Sequence, residues 1–249
     1  MLKVNRGKMN KHTTWFFLGL LAILLLSSIV HALPAGPSNI NYISNSTAAI
    51  NSPNRSIDAK GTITVINLDA NQQDFKWKAY LGNISGKLAL DDATGKSIYD
   101  WTMGVPAGEV YVSRYSGIIN WPNVSCATVP NVAAEQTALG MASGIVDNIN
   151  STFSNIIHKG FAVGTKPISN DTCKSTATYI NDTAQVISDA AKWQEVLLQD
   201  DITSSIIYTT FIENQKDGYN GGIYNFQMVV AENESATVPT TYFFYVELG

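Results

Sequence analysis

The chain predicts an α+β fold: an antiparallel β-sandwich carrying an inserted, disulfide-stapled helical hairpin. Three observations predict it. Strand-like alternation of apolar and polar residues marks the stretches before residue 127 and after residue 200. Apolar residues at helical spacing fill the interval between. The only two cysteines, Cys126 and Cys173, stand at the start of that interval and inside it. Strands, then helices, then strands again segregate into an α+β arrangement rather than alternating βα units.

The N-terminus comes first. Lys3, Arg6, Lys8 and Lys11 precede the apolar run Trp15–Val30, and Val30 and Ala32 occupy the −3 and −1 positions of a cleavage site before Leu33. A basic region, a short apolar region and a small-residue exit make residues 1–32 a secretory signal peptide. The alternative is an uncleaved N-terminal anchor over residues 15–33, although the run is shorter than the ~20 apolar residues a span needs. Basic residues stay on the inner side, so both readings place the rest of the chain outside the cytoplasm, extracellular or on the cell surface. A membrane is a partner only through that uncleaved segment.

Residues 33–59 are rich in Asn, Ser and Pro without a sustained apolar period, and read as a polar linker or tether. A sharper alternative makes Ile40–Ile50 a strand that pairs with a neighbouring molecule. The β-sandwich domain spans residues 60–249, with the helical insertion at about residues 127–200. Thr62–Leu68 (TITVINL) is its first strand-like run, followed by Asp74–Leu81, with Phe75, Trp77 and Ala79 on one face. Lys87–Leu90 and Ser97–Trp101 pair around the turn Asp91–Gly95, where Gly95 supplies the positive φ that other residues resist. Gly108–Tyr115 follows.

In the insertion, Val132, Leu139, Val146 and Phe153 recur every seven residues, predicting a helix over Val132–Ile157 capped by Asn131. A second helix is predicted over Thr183–Gln199, with Val186, Ala190, Trp193 and Leu197 on one face. Beyond it come a strand in Ser204–Ile212, a hairpin connection through Asp217-Gly218 and Asn220-Gly221-Gly222, and a strand in Ile223–Ala231. The terminal strand Thr240–Leu248 is apolar enough to predict a central place in a sheet.

Composition narrows function. Removing residues 1–32 leaves twelve basic against twenty acidic residues, a nominal −8. Nucleic-acid binding needs clustered Lys and Arg, so that partner class is excluded. One Cys126–Cys173 disulfide fits an oxidising compartment. Eight N-x-S/T acceptors, at Asn45, Asn54, Asn83, Asn123, Asn150, Asn170, Asn181 and Asn233, exceed what composition alone supplies.

No catalytic set is visible. His158 is the sole histidine beyond residue 32, and its place near a predicted helix end suits a structural role. Zinc and copper sites lack their usual ligands, no nucleophile elbow or phosphate loop occurs, and no metal or cofactor is expected. The acidic turns DDATG and DGYNGG fall short of a calcium-loop signature. Carboxylates remain the one catalytic currency, with Glu109, Asp91, Asp92, Asp100, Asp200 and Asp201 as members, yet their spacing singles out no pair. The aromatic stretch Lys76–Trp101 reads as core through cross-strand pairing, with Tyr80 the candidate sugar-contacting ring.

The pattern W-x-x-Y-x-G-N-x-[ST]-G at Trp77–Gly86, with GEVYVSR after it and the aromatic strand Tyr242–Leu248, resembles uncharacterised secreted archaeal surface glycoproteins. The resemblance covers Phe75–Arg114 and Tyr224–Leu248, about a quarter of the chain. It implies an archaeal envelope protein and transfers no catalytic residue. The expected function is therefore an exported, N-glycosylated envelope protein that acts by self-association or adhesion, as a surface-layer or filament subunit, with envelope components as partners. A carbohydrate-binding module, with glycans as partners, is the alternative, and a glycosidase stands behind it.

Overall fold

A computed structural model describes residues 32–49, 52, 53 and 59–249. The signal or anchor segment, apart from Ala32 and Leu33, and the acceptor Asn54 lie outside the described residues. The strands are β1 (Trp77–Gly82), β2 (Lys87–Asp91), β3 (Ser97–Thr102), β4 (Gly108–Ser113), β5 (Val124–Cys126), β6 (Phe161–Val163), β7 (Lys166–Ile168), β8 (Ser175–Ala177), β9 (Gln194–Asp200), β10 (Ile206–Phe211), β11 (Lys216–Asp217), β12 (Ile223–Tyr224), β13 (Phe226–Ala231) and β14 (Phe243–Leu248). Two short helices, α1 (Val129–Ala138) and α2 (Ile149–Thr152), complete the body.

A six-stranded antiparallel sheet in the order β14-β4-β10-β9-β5, with β8 also on β9, forms the centre. Side chains alternate across a strand, and here both faces are apolar. Val110, Val112, Leu197 and Tyr208 point to one core, which β13 closes with Met228 and Val230 and the helices with Val132, Ile149 and Phe153. Tyr111, Val196, Leu198 and Ile207 point to the other, covered by Trp121, Val163 and Ile168. The second layer on the first face is the two-stranded ribbon β1–β13 with the two helices, not a full second sheet.

β5 and β8 lie end to end along the same side of β9: Cys126 pairs with Leu198 and Ser175 with Val196. The Cys126–Cys173 disulfide, with Cα atoms 4.9 Å apart, joins these two half-strands. At the joint, the Ala127 N–H donates to the Leu197 carbonyl and the Leu197 N–H to the Lys174 carbonyl. The bridge thus makes one composite edge strand and does not staple a helical hairpin.

That hairpin is the main correction. The predicted Val132–Ile157 helix ends at Ala138 because Gly140 and Gly144 take positive φ (69° and 83°), and Val146 of the supposed stripe is 91% exposed. The predicted Thr183–Gln199 helix is absent, and its last six residues form most of β9, all seven of whose residues are buried. Trp193, at φ 49°, turns the chain into that strand. Its indole N–H donates to the Asp217 carbonyl at 2.7 Å, which holds the turn. β14 is the second correction: it is an edge strand, crossed on its free side by a single bridge to Ala35. The third concerns Thr62–Leu68, which forms no strand and stands exposed. The β2–β3 pairing and the turn at Gly95, with φ 78°, match expectation.

Candidate functional site

The carboxylates are the candidate catalytic groups of this chain. Asp92 accepts the backbone N–H groups of Thr94 and Lys96 in the hairpin turn, which holds its carboxyl below the usual range. Asp100 pairs with Lys87 at 2.6 Å. Asp200 accepts from the N–H groups of Asn120 and Ile202, and Asp201 from Ser125 at 2.6 Å. These acids, with Asp91 on the β2–β3 hairpin, serve turns and strand ends, and the fold gathers no catalytic pair from them.

Glu109 does meet an acid, but one the sequence did not suggest. Glu109 and Glu247 are register partners across β4 and β14. The Tyr111 hydroxyl donates to Glu247 at 2.9 Å, and so does the Gly164 N–H. Burial, reinforced by the Glu247 charge and partly opposed by Lys159, pushes the Glu109 carboxyl up to about 8. Neither acid lines the two principal cavities. One, of about 210 Å³, is lined by the bidentate Arg114–Glu135 pair at 2.7 and 2.8 Å. The other, of about 570 Å³, is an open apolar hollow between Leu33, Ile118, Trp121 and Ile202. A glycosidase needs its two carboxyls to flank a substrate cleft, and this pair faces packed side chains instead.

His158 is buried, and its Nε2 accepts the N–H groups of Thr172 and Cys173 at 3.2 and 2.9 Å, which assigns the ring proton to Nδ1 and the Lys159 carbonyl. The ring thus organises the backbone beside the disulfide. Among the described residues, no group of three or more His, Cys, Asp or Glu side chains could hold a metal ion.

What the surface does offer is apolar. Trp77, Tyr80, Ile84, Phe244, Val246 and Leu248 are only partly buried and form one rim of the first core, where β1 and β14 come together. Tyr80 sits edge-on against Phe244 at 4.9 Å, and burial pushes its hydroxyl pKa up. Tyr80 is therefore half-buried packing on this rim. The solvent-facing aromatic pair is Tyr99 and Trp101 on β3, 59% and 53% exposed with ring centroids 4.8 Å apart.

The two edges of the β1–β13 ribbon differ. The Glu232 N–H donates to the Lys76 carbonyl and the Asn225 N–H to the Gly82 carbonyl. Even-numbered residues of β1 therefore face β13, and Trp77, Ala79 and Leu81 turn their N–H and C=O groups outward. The far side of β13, in contrast, is capped by side chains. Thr210 donates to the Gln227 carbonyl, Glu195 accepts from the Val229 N–H at 2.8 Å, and the Tyr242 hydroxyl donates to the Ala231 carbonyl. Of the seven described N-x-S/T acceptors, Asn45, Asn83, Asn123, Asn150, Asn170 and Asn181 are exposed and Asn233 is half-buried.

Sequence reasoning had the residues of the rim without the rim itself. Alternation located β1 and β14, and nothing in the pattern told that both would be edges of one core. Compared with known protein families, curated proteins and solved structures, the chain matches none.

Proposed function

We propose that the chain is an exported, N-glycosylated cell-envelope protein of the archaeal surface type that works structurally, by self-association or adhesion, as a surface-layer or filament subunit. The observation that carries this reading is where the exposed apolar surface lies. It lies on the arm before β1 and on the β2–β3 hairpin, beside the half-buried apolar rim at the free edge of β1, and not around a polar cleft. Unpaired edges are templates for other chains, and contiguous exposed apolar surface marks interaction sites. In this reading the body is a β-sandwich whose second layer, the β1–β13 ribbon, becomes a fuller sheet in the assembled form. Exposed acceptors and a disulfide suit the oxidising exterior.

Sedimentation of the purified protein across a wide concentration range, with imaging of native cell surfaces, tests it. Ordered assemblies are expected, and a monodisperse monomer at every concentration would refute it. Mass spectrometry of the native protein is expected to find glycans on several of the exposed acceptors.

One observation favours a second reading, a carbohydrate-binding module: the exposed, edge-to-face Tyr99–Trp101 pair, since aromatic rings on a solvent face offer apolar surface to sugar rings. Glycan-array binding that disappears in Trp101→Ala would support it.

A further inference from the structure

We infer that Thr62–Leu68 of one copy adds as a β-strand to the free edge of β1 in a second copy. The inference rests on the self-association reading and names its contact.

The donor is a strand by composition that lacks a sheet. Thr62, Ile63, Thr64, Val65 and Ile66 are consecutive β-branched residues, the type that fits a pleated surface best. Ile63 is 94% exposed, Val65 91% and Leu68 84%. No charge interrupts the segment. Both of its alternating faces carry apolar residues, as in strands buried on both sides. As it stands, the body covers none of them.

The acceptor is the complementary deficiency. Trp77, Ala79 and Leu81 present their outward N–H and C=O groups with no backbone or side-chain partner among the described residues. Beside them the rim leaves Trp77, Tyr80, Ile84 and Phe244 half-covered. Seven donor residues match the six of β1 in length. A strand laid there satisfies the edge and extends the second layer over the rim, which is the mode of β-augmentation. The other two strand edges next to this rim are already engaged. β13 has its three side-chain caps, and β14 has the bridge to Ala35, beyond which Pro37 falls at the next hydrogen-bonding position and has no N–H to give.

The donor is assigned to a second copy because within one copy Thr62–Leu68 stands exposed and pairs with no strand, the edge of β1 included. Lys76 is held by Asp147 at 3.0 Å and Glu234 at 2.9 Å, and Glu234 lies beyond the end of β13. These two ion pairs anchor the residue from which the arm leaves the body.

The test compares the full secreted chain with Thr64→Pro/Val65→Pro, a double change in a segment that packs on nothing. Sedimentation over concentration is read together with hydrogen exchange at the Trp77, Ala79 and Leu81 amides. Expected are assembly of the natural chain with slowed exchange at those three amides, at least a tenfold higher concentration for assembly of the variant, and equal melting temperatures. A synthetic peptide of residues 61–70 added to the variant is expected to slow the same amides. If both chains assemble alike, the inference fails and self-association stands. If the amides are protected at every dilution, the strand is donated within one chain and the inference fails. If the natural chain never assembles, the self-association reading fails and takes the inference with it.

Discussion

Two acids, Glu109 half-buried and Glu195 fully buried, show what single residues contribute. Glu109 prefers its protonated form in the folded state, because burial and the adjacent Glu247 both oppose a second charge. Its folded pKa of about 8 lies above the ordinary 4.5, so the native state holds more protons than the unfolded chain between those values. Stability then falls as pH rises through that window. Glu109→Gln is expected to flatten the fall and to stabilise the protein at pH 8 by at least about 1 kcal/mol, measured as denaturation midpoints from pH 4 to 8. Glu195 acts in the same direction: complete burial pushes its carboxyl well up, with only the Val229 N–H opposing. Glu195→Gln keeps an acceptor for that N–H and should hold or raise the melting temperature at neutral pH. Glu195→Ala orphans a buried donor and should cost about 1–3 kcal/mol.

Among the elements, the composite strand β5–β8 depends most on one bond. The bridge closes a sequence separation of 47 residues, for which chain-entropy accounting gives about 4 kcal/mol. Cys126→Ser/Cys173→Ser is expected to lower stability by about 2–4 kcal/mol and to speed hydrogen exchange first at Ala127 and Leu197, the amides at the joint. The cysteine pair itself was legible in the sequence, while its role was not, because that role depends on β9. β9 hides its nature: Gln194, Glu195 and Gln199 place polar groups at helical intervals, and all three are buried and hydrogen-bonded within the body. β4, β10 and β13 were readable because alternation there has no such interruption. The long first helix failed for a local reason, two glycines at positive φ. The terminal strand was apolar on both faces as read, yet hydropathy cannot distinguish an edge strand lidded by one bridge from a central one. The rim was legible only as its separate aromatic residues, since it arises from two distant strands meeting.

At the scale of the whole molecule, body and arm contrast. From Trp77 onward the chain builds two cores on one sheet, whereas residues 59–73 are exposed throughout. The steepness of a denaturant transition follows the surface newly bared on unfolding, and an arm that is already bare contributes almost nothing to it. A urea titration of the monomer should therefore show the slope of a domain of about 175 residues, well short of the full chain length. The excess heat capacity of melting should be deficient by the same share.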